Sequence, residues 1–346
     1  MKNIVIIFGG DTLEHEVSLK TGHAVAKELM EANCYNLFYI AILKTGEWKY
    51  ADNIDTILLD SKEYTTIKIN QECDTVFQIG DGMINNIKID KAFLATHGNL
   101  GEDGNLQGFL KINNIPYTGN DVDGSVVCYN KNITKSVAEV NNINVVPYIT
   151  LNKYDFKKED SLTLMENIKK KELGDNLIVK INKGGCSIGV FQCTTQTLLD
   201  TIEKAFELDD FILIEKEINN MRELCISILL SKEGHLFISN IKEYLKNCNF
   251  FSFEEKYIHI LTVPDNKKNM PICENVKKII IEDSTLLYKK LNLKSYVRFD
   301  YFVDENNNVY FNEINNLPGL KKYGIFSKMW QPKFTLLEIL NYIIDI

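Results

Sequence analysis

Residues 298–319, RFDYFVDENNNVYFNEINNLPG, constrain the fold of this chain more than any other stretch. Two largely apolar runs, Tyr296–Val303 and Val309–Ile314, flank the turn-forming run Asp304-Glu305-Asn306-Asn307-Asn308, so the spacing predicts a β-hairpin. Side chains two apart on a strand share a face. Arg298 and Asp300 therefore make one pair, and Glu313 and Asn315 another across the hairpin. A register that aligns them brings two carboxylates, a carboxamide and a guanidinium together. Such hard oxygens suit Mg²⁺ in the company of nucleotide phosphates, and an arginine beside them can hold an anion or stabilise a developing oxyanion. The same residues would also make an ordinary solvated hairpin face, and the rest of the chain bears on the choice.

With 346 residues, 45% hydrophobic and 25% charged, the chain can bury more than one core and divides into two or three domains. A net charge of −8 argues against a nucleic-acid partner. No apolar run approaches the ~20 residues that span a bilayer, so no membrane is expected. The opening MKNIVIIFGG has no small-residue cleavage site and reads as a first strand rather than a signal peptide. Eight cysteines at irregular spacings, without a CxxC pair, suggest reduced thiols in a cytoplasmic protein.

In chain order, Lys2–Phe8 is an apolar strand ending in Gly9-Gly10, and a helix opens around Glu14 and runs to about Met30. Such a βα unit can offer backbone N–H groups to an anion, although this one is not GxGxxG and Glu14 could simply favour the helix dipole. Tyr35–Ile42 and Lys91–Ala95 are further strands of a doubly wound domain, with polar material of unassigned pairing at 45–90. HGNLGEDGNLQG, residues 97–108, follows a buried strand, the place where α/β sheets bind ligands. A helix near Asp121 carries Lys131 and Lys135. Strand Leu177–Lys180 then runs into the glycine-rich loop Lys183-Gly184-Gly185-Cys186-Ser187, which could fold over phosphates, though it is not a Walker pattern. Phe211–Glu215 leads to a linker suited to an adenine, Glu223–Leu230 and Leu236–Ile241 read as antiparallel strands, and Glu274–Leu291 as an amphipathic helix. FFSFEEKY, residues 250–257, reads as a loop more mobile than packed.

From end to end the chain resembles the D-alanine–D-alanine ligases and their D-alanine–D-X relatives, of the ATP-grasp superfamily. The motifs FGGDTLEHEVSLKTG, HGNLGEDGNLQG, IPYTG, KGGCSIGV, EEKY, RFDYFVD and NEINNLPG come in the family order. The resemblance implies an α/β fold, α+β in parts, of three domains. These are a Rossmann-like N-terminal domain with a parallel sheet (1–120), a central ATP-grasp subdomain (121–214) and a C-terminal one with the metal site (215–346). It implies ATP between the last two and two Mg²⁺ ions, with Mn²⁺ as a substitute. The implied reaction phosphorylates a D-alanine carboxylate, and the amine of a second D-amino acid then attacks the acyl phosphate.

Residue by residue, the resemblance makes Asp300, Glu313 and Asn315 the metal ligands, and Lys131, Lys180 and Lys256 the phosphate contacts. Glu215, Ile218 and Glu223 then lie at the adenosine. Arg298 and the backbone N–H of Gly319 form the oxyanion site. Glu14 fixes the first substrate's ammonium, His97 lies near its carboxylate, and Tyr257 closes a network with Glu14 and the loop. Three departures matter. Cys186 stands in the network serine's place, beside Ser187, which stays with the substrate-binding set. Asn316 replaces a usual threonine, and Gly324 lacks the hydroxyl expected to bind the second substrate's carboxylate. Lys321, Lys322 or Ser327 could supply that contact instead. Tyr257 after Lys256 goes with an amine acceptor, D-alanine or D-serine, rather than D-lactate, and a homodimer is the state common in the family. A paralogue that binds nucleotide or amino acid without making a dipeptide, or a ligase for another acceptor, stays open as the alternative.

Overall fold

The computed structural model describes the chain except residues 52–56, 60–66, 70–76, 79, 157–160, 186 and 245–270. Its strands gather into three larger sheets and two small ones. The continuous apolar run Lys2–Gly9 is buried on both faces, as parallel strands are. It pairs in parallel with Tyr35–Ile42 and Lys91–Leu94, while Trp48–Ala51 adds an antiparallel edge. Helix His15–Ala32 covers this sheet through Leu19, Val25, Ala26 and Leu29. The helix must pass close to the strand it leaves: a Cβ at Gly22 would lie 2.6 Å from the Phe8 ring.

A second sheet is wholly antiparallel, in the order Tyr148–Asn152, Phe211–Lys216, Asn176–Ile181, Val190–Thr194. Helices Ser161–Lys170 and Leu198–Phe206 close one of its faces around Leu177, Val179, Ile212 and Ile214. The other face carries Lys180 and Glu215. The third sheet holds Leu236–Ile238, Arg222–Leu230, Tyr296–Val303 and Val309–Asn315, with Lys242–Tyr244 on the same edge as Leu236–Ile238. Helix Glu274–Lys290 packs beneath it through Val276, Ile280 and Leu287. The helical stretch after Asp121 is two helices, Val122–Tyr129 and Lys131–Val140, because Asn130 is extended and caps the second by accepting the Ile133 N–H at 2.9 Å.

The chain then returns to where it began. Leu317, Leu320, Phe326, Trp330, Leu340 and Ile343 are buried in the same core as the first sheet. Helices Ile325–Trp330 and Leu336–Asp345 therefore pin the Pro318-Gly319 corner against the N-terminal strands. Cys34, Cys128, Cys193, Cys225 and Cys273 are free thiols, as irregular spacing suggests. Among the described residues no helix is long and apolar enough to cross a membrane.

Candidate active site

The hairpin forms in the register that function would need. Arg298 pairs with Asn315 and Asp300 with Glu313, so all four side chains share a face. After Asp300 the register slips by one, since Tyr301 pairs with Phe311. A bulge of this kind places two consecutive residues against one on the partner strand. Asn312 thereby joins Glu313 in lining the adjoining cleft. Arg298 grips Asp300 in a fork, Nε to Oδ1 and Nη2 to Oδ2 both at 2.7 Å, with its guanidinium 5.7 Å from the centre of the Tyr244 ring. Asn315 donates through Nδ2 to Asp300 Oδ2 at 3.0 Å, which leaves its Oδ1 as an acceptor. Burial pushes the Asp300 carboxyl up, against the pull of Arg298, and the Glu313 and Glu223 charges add to the rise.

Beside this face lies a cleft between the second and third sheets, lined by Lys131, Lys180, Glu215, Ile218, Glu223 and Asn312 among others. Lys180 and Ile178 point into it because alternate residues of a strand do. Glu215 sits between two ammonium groups, Lys180 at 2.6 Å and Lys135 at 3.0 Å, the latter out of hydrogen-bond alignment. Burial alone would raise this carboxyl, but Lys135 and Lys180 together hold it at about 2. Lys180 also donates to Asn312 at 3.2 Å. Lys131, the first residue of its helix, reaches the Gly184 carbonyl and lies 3.4 Å from Glu313, tying the glycine loop to the hairpin.

The other end of the site is built from glycine corners. Glu14, His97 and Glu102 are buried, with one potential ligand atom from each within 4.8 Å of the others. Glu14 is seated by Thr12, whose hydroxyl accepts the Glu14 N–H at 2.9 Å and donates to the His97 carbonyl at 3.2 Å. A Cβ at Gly185 would lie 3.0 Å from Glu14 Oε1, so the glycine loop passes directly over this carboxylate. The Thr21 hydroxyl donates to the Val17 carbonyl at 3.1 Å, so it accepts from His97 Nε2, 2.9 Å away. That assigns the proton to Nε2 and leaves Nδ1 an acceptor. Burial, then Lys321 and Arg298, lower His97 to about 3, and it stays neutral. A Cβ at Gly319 would be 3.9 Å from His97 Cε1, which puts the Gly319 corner at the imidazole. Glu102 accepts the Gly98 N–H at 2.9 Å. Burial, reinforced by Glu14, raises it well above the usual carboxylate range.

The structure thus brings together Glu14, His97, Arg298, Gly319, Asp300, Glu313 and Asn315 around one end of the cleft, and Lys131, Lys180, Glu215, Ile218 and Glu223 around the other. Ser187 lines the cleft beside Gly185. Gly324 opens the helix Ile325–Trp330, and Asn316 donates to the Glu102 carbonyl at 3.0 Å. Cys186, Lys256 and Tyr257 lie outside the described residues. Three site residues escaped the sequence reading of roles. Lys135 could have been found from its position one helical turn after Lys131, and Glu102 from its place in the HGNLGEDG motif. Nothing in the local sequence announces the bulge that turns Asn312 inward.

Comparison with known proteins matches most of the chain to one family. The model of the D-ala D-ala ligase N-terminus matches residues 3–120, and that of the C-terminus residues 137–344. A D-alanine–D-alanine ligase of Borrelia hermsii is 33% identical over 340 residues, 95% of this chain and 89% of the relative. The structure of the Coxiella burnetii D-alanine–D-alanine ligase superposes with a TM-score of 0.79 at 26% identity, covering 100% of this chain and 96% of that one. The VanG D-Ala:D-Ser ligase of Enterococcus faecalis superposes with a TM-score of 0.79 at 25% identity, covering 99% and 98%. By sequence and by fold, this chain belongs to the D-alanine–D-alanine ligase family.

Proposed function

We propose that this chain is an ATP-dependent ligase that joins D-alanine to a second D-amino acid, D-alanine or D-serine, through a D-alanyl phosphate, for peptidoglycan precursor synthesis in the cytoplasm. The observation that carries this reading is the single hairpin face of Arg298, Asp300, Glu313 and Asn315 at the mouth of a lysine-lined cleft. In this reading the division 1–120, 121–214 and 215–346 separates the unit that presents D-alanine from the two that enclose ATP, and the enzyme works as a homodimer.

Asp300, Glu313 and Asn315 would hold two Mg²⁺ ions. The donor set fits, being three hard oxygen-bearing side chains on one face with the Asn315 Oδ1 left as an acceptor. Bound there, Mg²⁺ neutralises the polyphosphate and orients the γ-phosphoryl group. Lys131 and Lys180 hold the phosphates by charge, and the linker around Ile218 offers backbone groups to the adenine. Glu14 takes the ammonium of the first D-alanine, with neutral His97 near its carboxylate. The D-alanine carboxylate oxygen attacks the γ-phosphorus and ADP leaves. The second amine then attacks the acyl carbon, and the oxyanion that develops is met by Arg298 and the Gly319 N–H. Collapse of that intermediate expels phosphate, and the amine loses its proton.

The test is phosphate release from ATP with D-alanine alone and then with a panel of amino and hydroxy acids. Dipeptide with D-alanine or D-serine is expected. Preferential depsipeptide from D-lactate would overturn the amine assignment. A second reading, a paralogue that binds without ligating, draws on one observation, that Gly324 offers no hydroxyl to an acceptor; no product with any acceptor would favour it.

A further inference from the structure

Glu215 is one carboxylate with two ammonium groups on it, Lys180 at 2.6 Å from Oε2 and Lys135 at 3.0 Å from Oε1. All three side chains are buried, that of Lys135 completely. A single aligned lysine is enough to satisfy a buried carboxylate, so the second needs a separate reason. Hydrogen bonding does not supply it. Among the described residues neither Lys135 Nζ nor Glu215 Oε1 has a hydrogen-bond partner. The Tyr148 ring, which stands opposite Glu215 in the sheet, lies 5.4 Å from the ammonium. Burying an ammonium on these terms costs free energy that an apolar side chain would not. Burial lowers the Lys135 pKa, and the Glu215 charge opposes the fall by favouring the ammonium.

What the second lysine adds is charge. Two ammonium groups and one carboxylate leave one net positive charge at the foot of the cleft. Glu215 and Lys180 line that cleft, and Lys135 stands behind Glu215, one helical turn beyond Lys131. Lys180 gives one proton to Glu215 Oε2 and another to Asn312 Oδ1 at 3.2 Å, two of the three it carries. While Lys135 shares the Glu215 charge, Lys180 is only partly neutralised. Without Lys135 the same carboxylate would neutralise Lys180 alone.

We propose that Lys135 is a positioning residue for the nucleotide that acts through Glu215: by sharing that carboxylate it leaves the Lys180 charge available to a polyphosphate. The inference rests on the ligase reading above for its ligand, a nucleoside polyphosphate. It adds that affinity is graded by the number of phosphates through a lysine that lies behind the cleft wall.

The experiment measures the Kd of ATP, ADP and adenosine by competition against a fluorescent ATP analogue, with and without Mg²⁺. It uses the full-length wild type, Lys135→Met and the double variant Lys135→Met with Glu215→Gln. An ammonium charge acting over about 10 Å at an effective dielectric of ~20 is worth roughly tenfold in the binding of one opposing charge. The ATP Kd of Lys135→Met should therefore rise about tenfold or more without Mg²⁺, and less with it, while that of ADP rises less and that of adenosine stays within about twofold. In the double variant Lys180 faces no buried carboxylate at 215, and the ratio of ATP to adenosine affinity should return towards the wild-type value. That recovery is not expected of a lysine that only packs. Equal weakening of ATP and adenosine in Lys135→Met, an unchanged ATP Kd, or no recovery of the ratio in the double variant would each overturn the proposal. Should Lys135→Met fail to fold by circular dichroism, the double variant, in which neither side chain is charged, decides: an affinity ratio about tenfold below wild type would overturn the proposal. Wild-type enzyme that binds ATP and ligates nothing would overturn the ligase reading alone, and wild-type enzyme that binds no ATP would overturn both.

Discussion

The two ends of the cleft handle charge in opposite ways. Along the cleft and the hairpin face three acidic groups face cations of the protein: Glu215 has Lys180 and Lys135, Asp300 has Arg298, and Glu313 has Lys131 at 3.4 Å. At the amino-acid end Glu14 and Glu102 crowd one another beside a neutral imidazole. Burial drives Glu102 up and His97 down in consequence. The first end is charge-matched within the fold and stands ready as built. In the proposed function the second end receives the ammonium group that an amino acid brings. Perturbed groups of this kind cluster where chemistry is done.

Breaking the matched end should cost the most. Glu215→Gln leaves Lys135, fully buried, without its compensating charge, and disrupting a buried pair of this kind costs about 3–5 kcal/mol. The denaturation midpoint should fall accordingly. Because the folded Glu215 titrates at about 2, below the ~4.3 of a free glutamate, its contribution is present above ~4.3 and lost as the pH falls from there to about 2. The Gln variant should lack that acid transition. An unaltered midpoint at neutral pH would refute the account of this cluster.

Glu313→Gln comes next and acts on turnover. One charge of the proposed metal face is lost while the hairpin keeps its register, and a transition-state contact of this kind is worth roughly 3–4 kcal/mol, or ~10²–10³ in kcat. Circular dichroism should be unchanged. Wild-type turnover at saturating Mg²⁺ would remove Glu313 from the metal site.

The mismatched end should respond to pH with two opposite signs. His97 is lowered to about 3 from an ordinary value near 6.5. Its neutral form therefore stabilises the fold above about 6.5, and that stability drains away as the pH falls towards 3, at up to ~1.4 kcal/mol per unit. Glu102 is raised, so its contribution is complete below the ordinary carboxylate value and is lost as the pH rises through its folded pKa. Glu102→Gln keeps an oxygen for the Gly98 N–H and cannot ionise. It should be more stable than wild type at pH 8, and the two should converge in acid. A variant less stable at pH 8 would show that Glu102 is held as a welcome anion.

What the sequence made legible follows the same division. The hairpin face was readable because strands impose a period of two and its charges sit on that period, whereas Lys131, Lys180 and Glu215 were legible only through the family resemblance. Lys135 was visible but not its depth, since burial of a lysine depends on packing between two elements far apart in sequence. The bulge at Asn312 arises from a slip that no local pattern encodes. The pairing of Glu14 with Glu102, 88 positions apart, and the return of residues 317–344 to the first core are long-range facts of the same sort. Glycines gave a better guide here than charges did: Gly98, Gly185 and Gly319 each mark a place where backbone runs against Glu14 or His97.

The smallest expected effect concerns Gly324, and it tests whether the missing hydroxyl limits binding of the acceptor's carboxylate. If the lost hydroxyl were the whole story, Gly324→Ser should lower the acceptor KM by an order of magnitude. The structure points elsewhere. Gly324 is the N-cap of helix Ile325–Trp330, with φ −71° and ψ 165°, a conformation that serine adopts readily and in which its hydroxyl tends to accept from the first-turn N–H groups. The new side chain would then turn towards the helix, gaining only a few tenths of a kcal/mol over glycine. Its Cβ would also stand 3.2 Å from the Lys321 carbonyl and 3.3 Å from the Lys321 Cβ, close enough that Lys321 must shift by a few tenths of an ångström. We therefore expect Gly324→Ser to change the acceptor KM less than about threefold, a shift under ~1 kcal/mol, with the ATP KM unmoved. A tenfold gain in acceptor affinity would place the acceptor's carboxylate at residue 324. A small loss would show that the new Cβ crowds Lys321, whose own Cβ stands 3.3 Å away.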